Sequence, residues 1–108
     1  INNILQKIGY KNVKETIKKL SEYRYCPDIH NLIVGRYVRY IPLDGKLKLK
    51  LQNGGIIINI KTGEEDILII CKNIRNRIFT VPFGKSIIFQ KLTTDETIIL
   101  DAIKYLKL

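Results

Sequence analysis

The chain has no tryptophan and no methionine, and it carries only three prolines, two cysteines and one histidine. Each shortage closes off a class of chemistry. Cys26 and Cys71 stand far apart, one beside Pro27 and the other ending an apolar run, so they make no metal-binding spacing. They read as free buried thiols of a reducing compartment rather than as a disulfide. His30 follows Asp28, and an Asp–His pair can serve as a general base. No Ser or Cys nucleophile stands beside it in a recognised motif, so neither an enzyme nor a cofactor is expected. Gly54-Gly55 is not followed by Lys-Ser or Lys-Thr at the spacing of a phosphate loop. Glu64-Glu65-Asp66 are consecutive acids on an expected loop, without the further ligands a cation site requires. No apolar run reaches the roughly 18–20 residues that span a bilayer, and no signal-peptide pattern is present. The sequence opens at Ile1 rather than Met, which suggests a processed product or a piece of a longer chain.

What the chain does have is isoleucine, lysine, asparagine and leucine, a bias typical of AT-rich coding. At 108 residues it suits one domain with one modest core. The formal net charge is +9 and the isoelectric point about 9.7. Such an excess favours acidic partners, whether nucleic acid, an anionic membrane surface or an acidic protein; its bland counterpart is a solvated lysine surface. The excess is uneven. Residues 1–52 hold eleven Lys and Arg against four Asp and Glu, and residues 53–108 hold eight against six.

Hydrophobic periodicity divides the chain into three parts. Residues 1–32 form an N-terminal helical segment. Ile4, Leu5 and Ile8 make a short stripe that Gly9 stops, and Asn12 with Glu15 reads as a capping box before Val13, Ile17 and Leu20. That second helix is expected to fade near Tyr23–Tyr25 and to break at Pro27. Residues 33–92 carry about five short strands. In the first of them Val38 and Tyr40 fall on one face, and Tyr37 and Arg39 on the other. In Lys46-Leu47-Lys48-Leu49-Lys50-Leu51 the leucines likewise share one strand face and the lysines the other. Asp44-Gly45 signals a hairpin. Asn53-Gly54-Gly55 is either a second turn or a bulge that bends a continuing strand. Residues 67–71 read as a central strand, 73–77 as a basic turn, and 78–83 and 86–92 as strands joined across Gly84-Lys85. Residues 93–108 form a last helix opened by a Thr93–Glu96 capping box. Its stripe of Ile98, Ile99, Ala102, Ile103 and Leu106 is expected to close an open end of the sheet.

Gly35-Arg36-Tyr37-Val38-Arg39-Tyr40-Ile41, then Gly54-Gly55-Ile56, Phe79-x-Val81 and Ile87-Ile88-Phe89, resembles the Tudor-like (Src-homology-3-like) small barrel of proteins from large nucleocytoplasmic DNA viruses. The chain departs from that pattern in lacking a Trp near Phe79. The resemblance implies an α+β fold, in which a small five-stranded antiparallel β-barrel is flanked by the N-terminal helical segment and the C-terminal helix. It also implies a structural or virion-associated protein, located in the virion or host cytoplasm, whose partner is a capsid or scaffold protein. Nucleic acid is the alternative partner.

Two groups carry the binding expectation. Lys46, Lys48 and Lys50 sit roughly 7 Å apart on one strand face, a ladder suited to phosphates or an acidic tail. Arg36, Tyr37 and Arg39 belong to a run of tyrosines and arginines, residue types enriched at interfaces and able to stack on bases. Lys14 and Lys18 lie off the apolar stripe of the second helix and complete the set. Tyr37, Tyr40, Phe79 and Phe83 are the possible walls of an aromatic cage for a methylated lysine.

Overall fold

The computed structural model describes residues 1–43 and 49–106. Two short helices open the chain, α1 (Asn2–Lys7) and α2 (Val13–Lys19). Gly9, at φ +74°, ends the first as expected: it takes a left-handed conformation that side chains disfavour. Asn12 does occupy the N-cap of α2, but its side chain makes no capping bond.

Among the described residues six strands follow: β1 (Tyr23–Tyr25), β2 (Tyr37–Pro42), β3 (Gln52–Thr62), β4 (Ile67–Lys72), β5 (Ile78–Pro82) and β6 (Ser86–Lys91). They form one antiparallel sheet in the order β1-β6-β2-β3-β4-β5. The fold is therefore α+β, with six strands in place of the expected five. The sheet is open, since its two edge strands, β1 and β5, do not pair with each other. The sixth strand is Tyr23-Arg24-Tyr25, expected to be the end of a helix. A three-residue strand has no visible period of its own, and here pairing with β6 wins over helical propensity. Nor do β5 and β6 form a hairpin. A 3₁₀ turn at Phe83–Lys85 carries the chain from the far edge back to β2. Asp66 pins that turn, its carboxylate accepting from Gly84 N at 2.9 Å and from Ile67 N at 2.8 Å.

The Asn53-Gly54-Gly55 stretch is a bulge inside β3. Val38 pairs with Gly55 and Tyr40 with Gln52, so Asn53 and Gly54 together face Arg39. Both glycines are required by close approach. A Cβ on Gly54, at φ +73°, would lie 1.8 Å from the Val38 carbonyl oxygen, and one on Gly55 would lie 2.4 Å from that of Lys72.

The alternating Leu/Lys segment lies mostly outside the described residues, which exclude 44–48. Leu49, Lys50 and Leu51 precede β3 as irregular chain rather than strand. Leu51 is nonetheless buried, and Leu49 packs against the same cluster while Lys50 is exposed. Tyr10 holds this approach in place, its hydroxyl accepting from Leu51 N at 3.1 Å.

Two cores lie on opposite faces of the central strands. The first gathers Val38, Ile57, Ile69, Cys71, Val81 and Ile88 with Cys26 and Leu32. The second packs Leu5 and Leu20 from the helical segment onto Ile41, Ile87 and Phe89. β6 serves both: four successive residues, Ile87 to Gln90, are buried. Burying side chains of this size contributes about 1.5–3 kcal/mol each. Gln90 is the polar member and is hydrogen-bonded at both ends of its amide. Its Oε1 accepts from Ile33 N at 2.8 Å and its Nε2 donates to Asn31 O at 3.1 Å, which ties the 29–36 segment to the sheet.

The last helix, α3 (Thr94–Leu106), departs from expectation. Its Thr93–Glu96 capping box does form, with Glu96 N donating to Thr93 Oγ1 at 3.1 Å and Thr93 N to Glu96 Oε1 at 2.9 Å. Its apolar stripe does not close the sheet. No residue of the helix is buried, and Ile98, Ile99, Ile103 and Leu106 are all exposed. What attaches it is polar: Arg36 Nη1 donates to Glu96 Oε1 at 2.7 Å.

Candidate functional site

Where Tyr23, the 37–40 part of β2, the start of β3 and the end of β6 meet the 73–77 turn and Phe79, the side chains form an open groove of about 780 Å³. Strand register builds it. Tyr23 pairs with Lys91, and Val38 pairs with Gln90, so Tyr23, Lys91 and Tyr37 come side by side across β1, β6 and β2. The β3 bulge turns Asn53 toward Arg39, whose Nε donates to Gln52 O and whose Nη2 donates to Asn53 Oδ1, both at 3.2 Å. Among the described residues these are its hydrogen bonds, and they leave most of its five-donor fork open. The opposite wall is the 73–77 turn. Asn73 Oδ1 accepts from Arg75 N at 2.9 Å and Arg77 N at 3.0 Å, and Asn76 takes φ +61°. That local lock projects Arg75 and Arg77 along the rim as exposed side chains.

The charge of the groove has one sign. Arg39, Arg75, Arg77 and Lys91 line it, and among the described residues no Asp or Glu does. Among those residues, too, none of the four is paired with a carboxylate. Four aromatic rings accompany them: Tyr23, Tyr37, Tyr40 and Phe79. Tyr40 and Phe79 stack with centroids 6.0 Å apart and pack on the first core, and Tyr23 packs on the second. Burial pushes the Tyr23 hydroxyl above its ordinary pKa, with Arg39 opposing and Tyr37 adding to the rise, as befits three groups meeting at one place. Tyr37 belongs to neither core cluster. Its hydroxyl donates to Gly54 O over a long 3.5 Å.

The expected site residues are therefore dispersed. Tyr37 and Arg39 stand in the groove. Arg36 does not: its guanidinium is engaged with Glu96 and anchors α3. Lys14 and Lys18 are exposed on α2 but line no part of the groove, and neither does Lys50. Lys46 and Lys48 lie outside the described residues. The aromatic cage is incomplete. Tyr37, Tyr40 and Phe79 share the groove whereas Phe83 does not, and the surrounding cations repel a methylated lysine. Lys91, Arg75 and Arg77 join the site through strand order, which no local pattern announces; the basic 73–77 turn is the one local sign.

Other reactive groups have structural duties. Asp28 Oδ1 caps the Ile29–Asn31 3₁₀ turn, accepting from His30 N and lying 2.9 Å from His30 Nδ1. The His30 backbone N–H bond, followed by that to its ring, holds the exposed Asp28 carboxyl below its ordinary pKa. Cys26 and Cys71 are free and buried, and burial pushes the Cys71 thiol up to about 11. A thiol so raised stays protonated near neutral pH and is a poor nucleophile. Among the described residues no cluster of three His, Cys, Asp or Glu side chains is placed to hold a metal ion, and no helix is long and apolar enough to cross a membrane. Comparison with known protein families, curated proteins and solved structures finds no match to this chain.

Proposed function

We propose that this chain is a non-enzymatic binding module whose basic groove takes the phosphate backbone of a nucleic acid. The observation that carries the reading is the convergence of Arg39, Arg75, Arg77 and Lys91 around one concavity, with no carboxylate among the described residues of its lining. Like charges gathered this way repel one another and lower stability in the empty state. A polyanion relieves that repulsion and releases its own counterions on binding. The strand path also supports a Tudor-like barrel relationship: β2 to β5 run as a meander, a 3₁₀ turn follows, and β6 returns to β2. The test is fluorescence anisotropy of a labelled oligonucleotide over a range of salt. Affinity falls steeply with salt, and the Arg39→Glu, Arg77→Glu double variant weakens binding and flattens the salt slope by about two, one for each phosphate no longer neutralised. Equal affinity for the double variant would falsify the reading.

A protein partner is the second reading, and the exposed apolar stripe of α3 favours it. A capsid or scaffold protein seated there covers Ile98, Ile99 and Ile103. The Ile99→Asp, Ile103→Asp double variant then loses the partner in a pull-down while nucleic-acid binding through the groove is unchanged.

A further inference from the structure

Resting on the nucleic-acid reading, we infer that the groove is built for a single strand, with a base laid on the ring of Tyr37 and the flanking phosphates on Arg77 and Lys91. The cations alone do not distinguish one polyanion from another. The tyrosine does. Of the four rings in the groove, three are committed to the two cores, and Tyr37 is the one that packs in neither. A half-buried tyrosine whose hydroxyl makes, among the described residues, only a 3.5 Å bond contributes little to the fold by standing there. It lines the same groove as four cations, and an aromatic ring in a positively charged groove is the combination by which single-stranded chains are bound without regard to sequence. In a duplex the base faces are stacked on one another and hidden, so such a ring has nothing to meet. The bulge steadies the cationic wall, because Asn53 and the Gln52 carbonyl hold the Arg39 guanidinium against β3.

The experiment compares three probes on the intact chain: a dT oligonucleotide, a duplex of equal length, and heparin, a polyanion without aromatic faces. Since the chain has six tyrosines and no tryptophan, its intrinsic emission reports directly on tyrosine stacking. The expected result is quenching by dT, tighter binding of dT than of duplex, and roughly a ten-fold loss of dT affinity in Tyr37→Leu with heparin affinity unchanged. Tyr37→Phe, which keeps the ring, retains dT binding, and thermal melts of both variants check that the fold is intact. Unchanged dT affinity in Tyr37→Leu, or equal affinity for duplex and single strand, overturns the single-strand inference while leaving the basic groove standing. Failure of all three probes to bind removes the nucleic-acid reading and this inference together.

Discussion

Ile87-Ile88-Phe89 in β6 and Ile98-Ile99-Leu100 in α3 are nearly the same three letters with opposite fates. The first triplet is buried on both faces of the sheet; the second is exposed throughout. Nothing in either triplet sets the difference. β6 lies between β1 and β2, with Leu5 and Leu20 above it and the first core below. α3 leaves the sheet after Leu92 and, among the described residues, is held back by the Arg36–Glu96 ion pair beside its own capping box. Burial is thus a property of neighbours, and the same apolar letters act as glue in one place and as an unoccupied surface in the other.

That contrast can be broken in order of size. Phe89→Ala removes a fully buried ring shared by the sheet and the helical segment, and urea titration should register a loss of about 3–5 kcal/mol. A loss below about 1 kcal/mol would mean that the second core does not hold the fold together. Gln90→Leu keeps the volume but leaves Ile33 N and Asn31 O without their partner. Its expected cost is about 1–3 kcal/mol, and hydrogen exchange should show earlier opening at Ile33 than elsewhere in the 29–36 segment. At the small end, the Ile99→Asp, Ile103→Asp pair on α3 should change the stability of the free chain by no more than about 0.5 kcal/mol per site. A large destabilisation there would place α3 in the core after all.

Acid sharpens the same comparison from the side of the tether. The Thr93 backbone N–H, with Arg36 adding its charge, holds the Glu96 carboxyl below its ordinary value of 4.5. A carboxyl lowered on folding contributes stability above its unfolded pKa and loses it as pH falls through the folded one. Fraying of α3, followed by circular dichroism, should therefore begin below about pH 4.5, ahead of any change at the buried centre of β6.

Much of the local grammar is legible in the sequence. The Thr93–Glu96 box, the helix stop at Gly9 and the division of Val38 and Tyr40 from Tyr37 and Arg39 follow from period and side-chain chemistry over a few residues, whereas Asn53-Gly54-Gly55 announces a turn or a bulge and only the register decides for the bulge. Strand order is not. Tyr23, Lys91 and Tyr37 are distant in sequence and become neighbours only because the 3₁₀ turn at Phe83–Lys85 sends β6 back between β1 and β2. An apolar stripe likewise states that a helix has a greasy side and never what lies against it, so the stripe of α3 suggests a lid that the fold does not supply. The lysine ladder stands out because alternation is easy to see, while the arginines that converge in the groove sit in unrelated segments.

At Gly54, which lines the groove, and at the adjoining Gly55, main chain touches main chain, with no side chain between the strands. The spacing of β2, β3 and β4 at that point is accordingly set by backbone rather than by side chains. Tyr37 and Arg77, which pack in neither core and whose side chains lock no turn, can be exchanged without disturbing those backbone contacts. The site is thus open to re-specification, in the laboratory or by descent, as long as those two positions keep their hydrogen atoms.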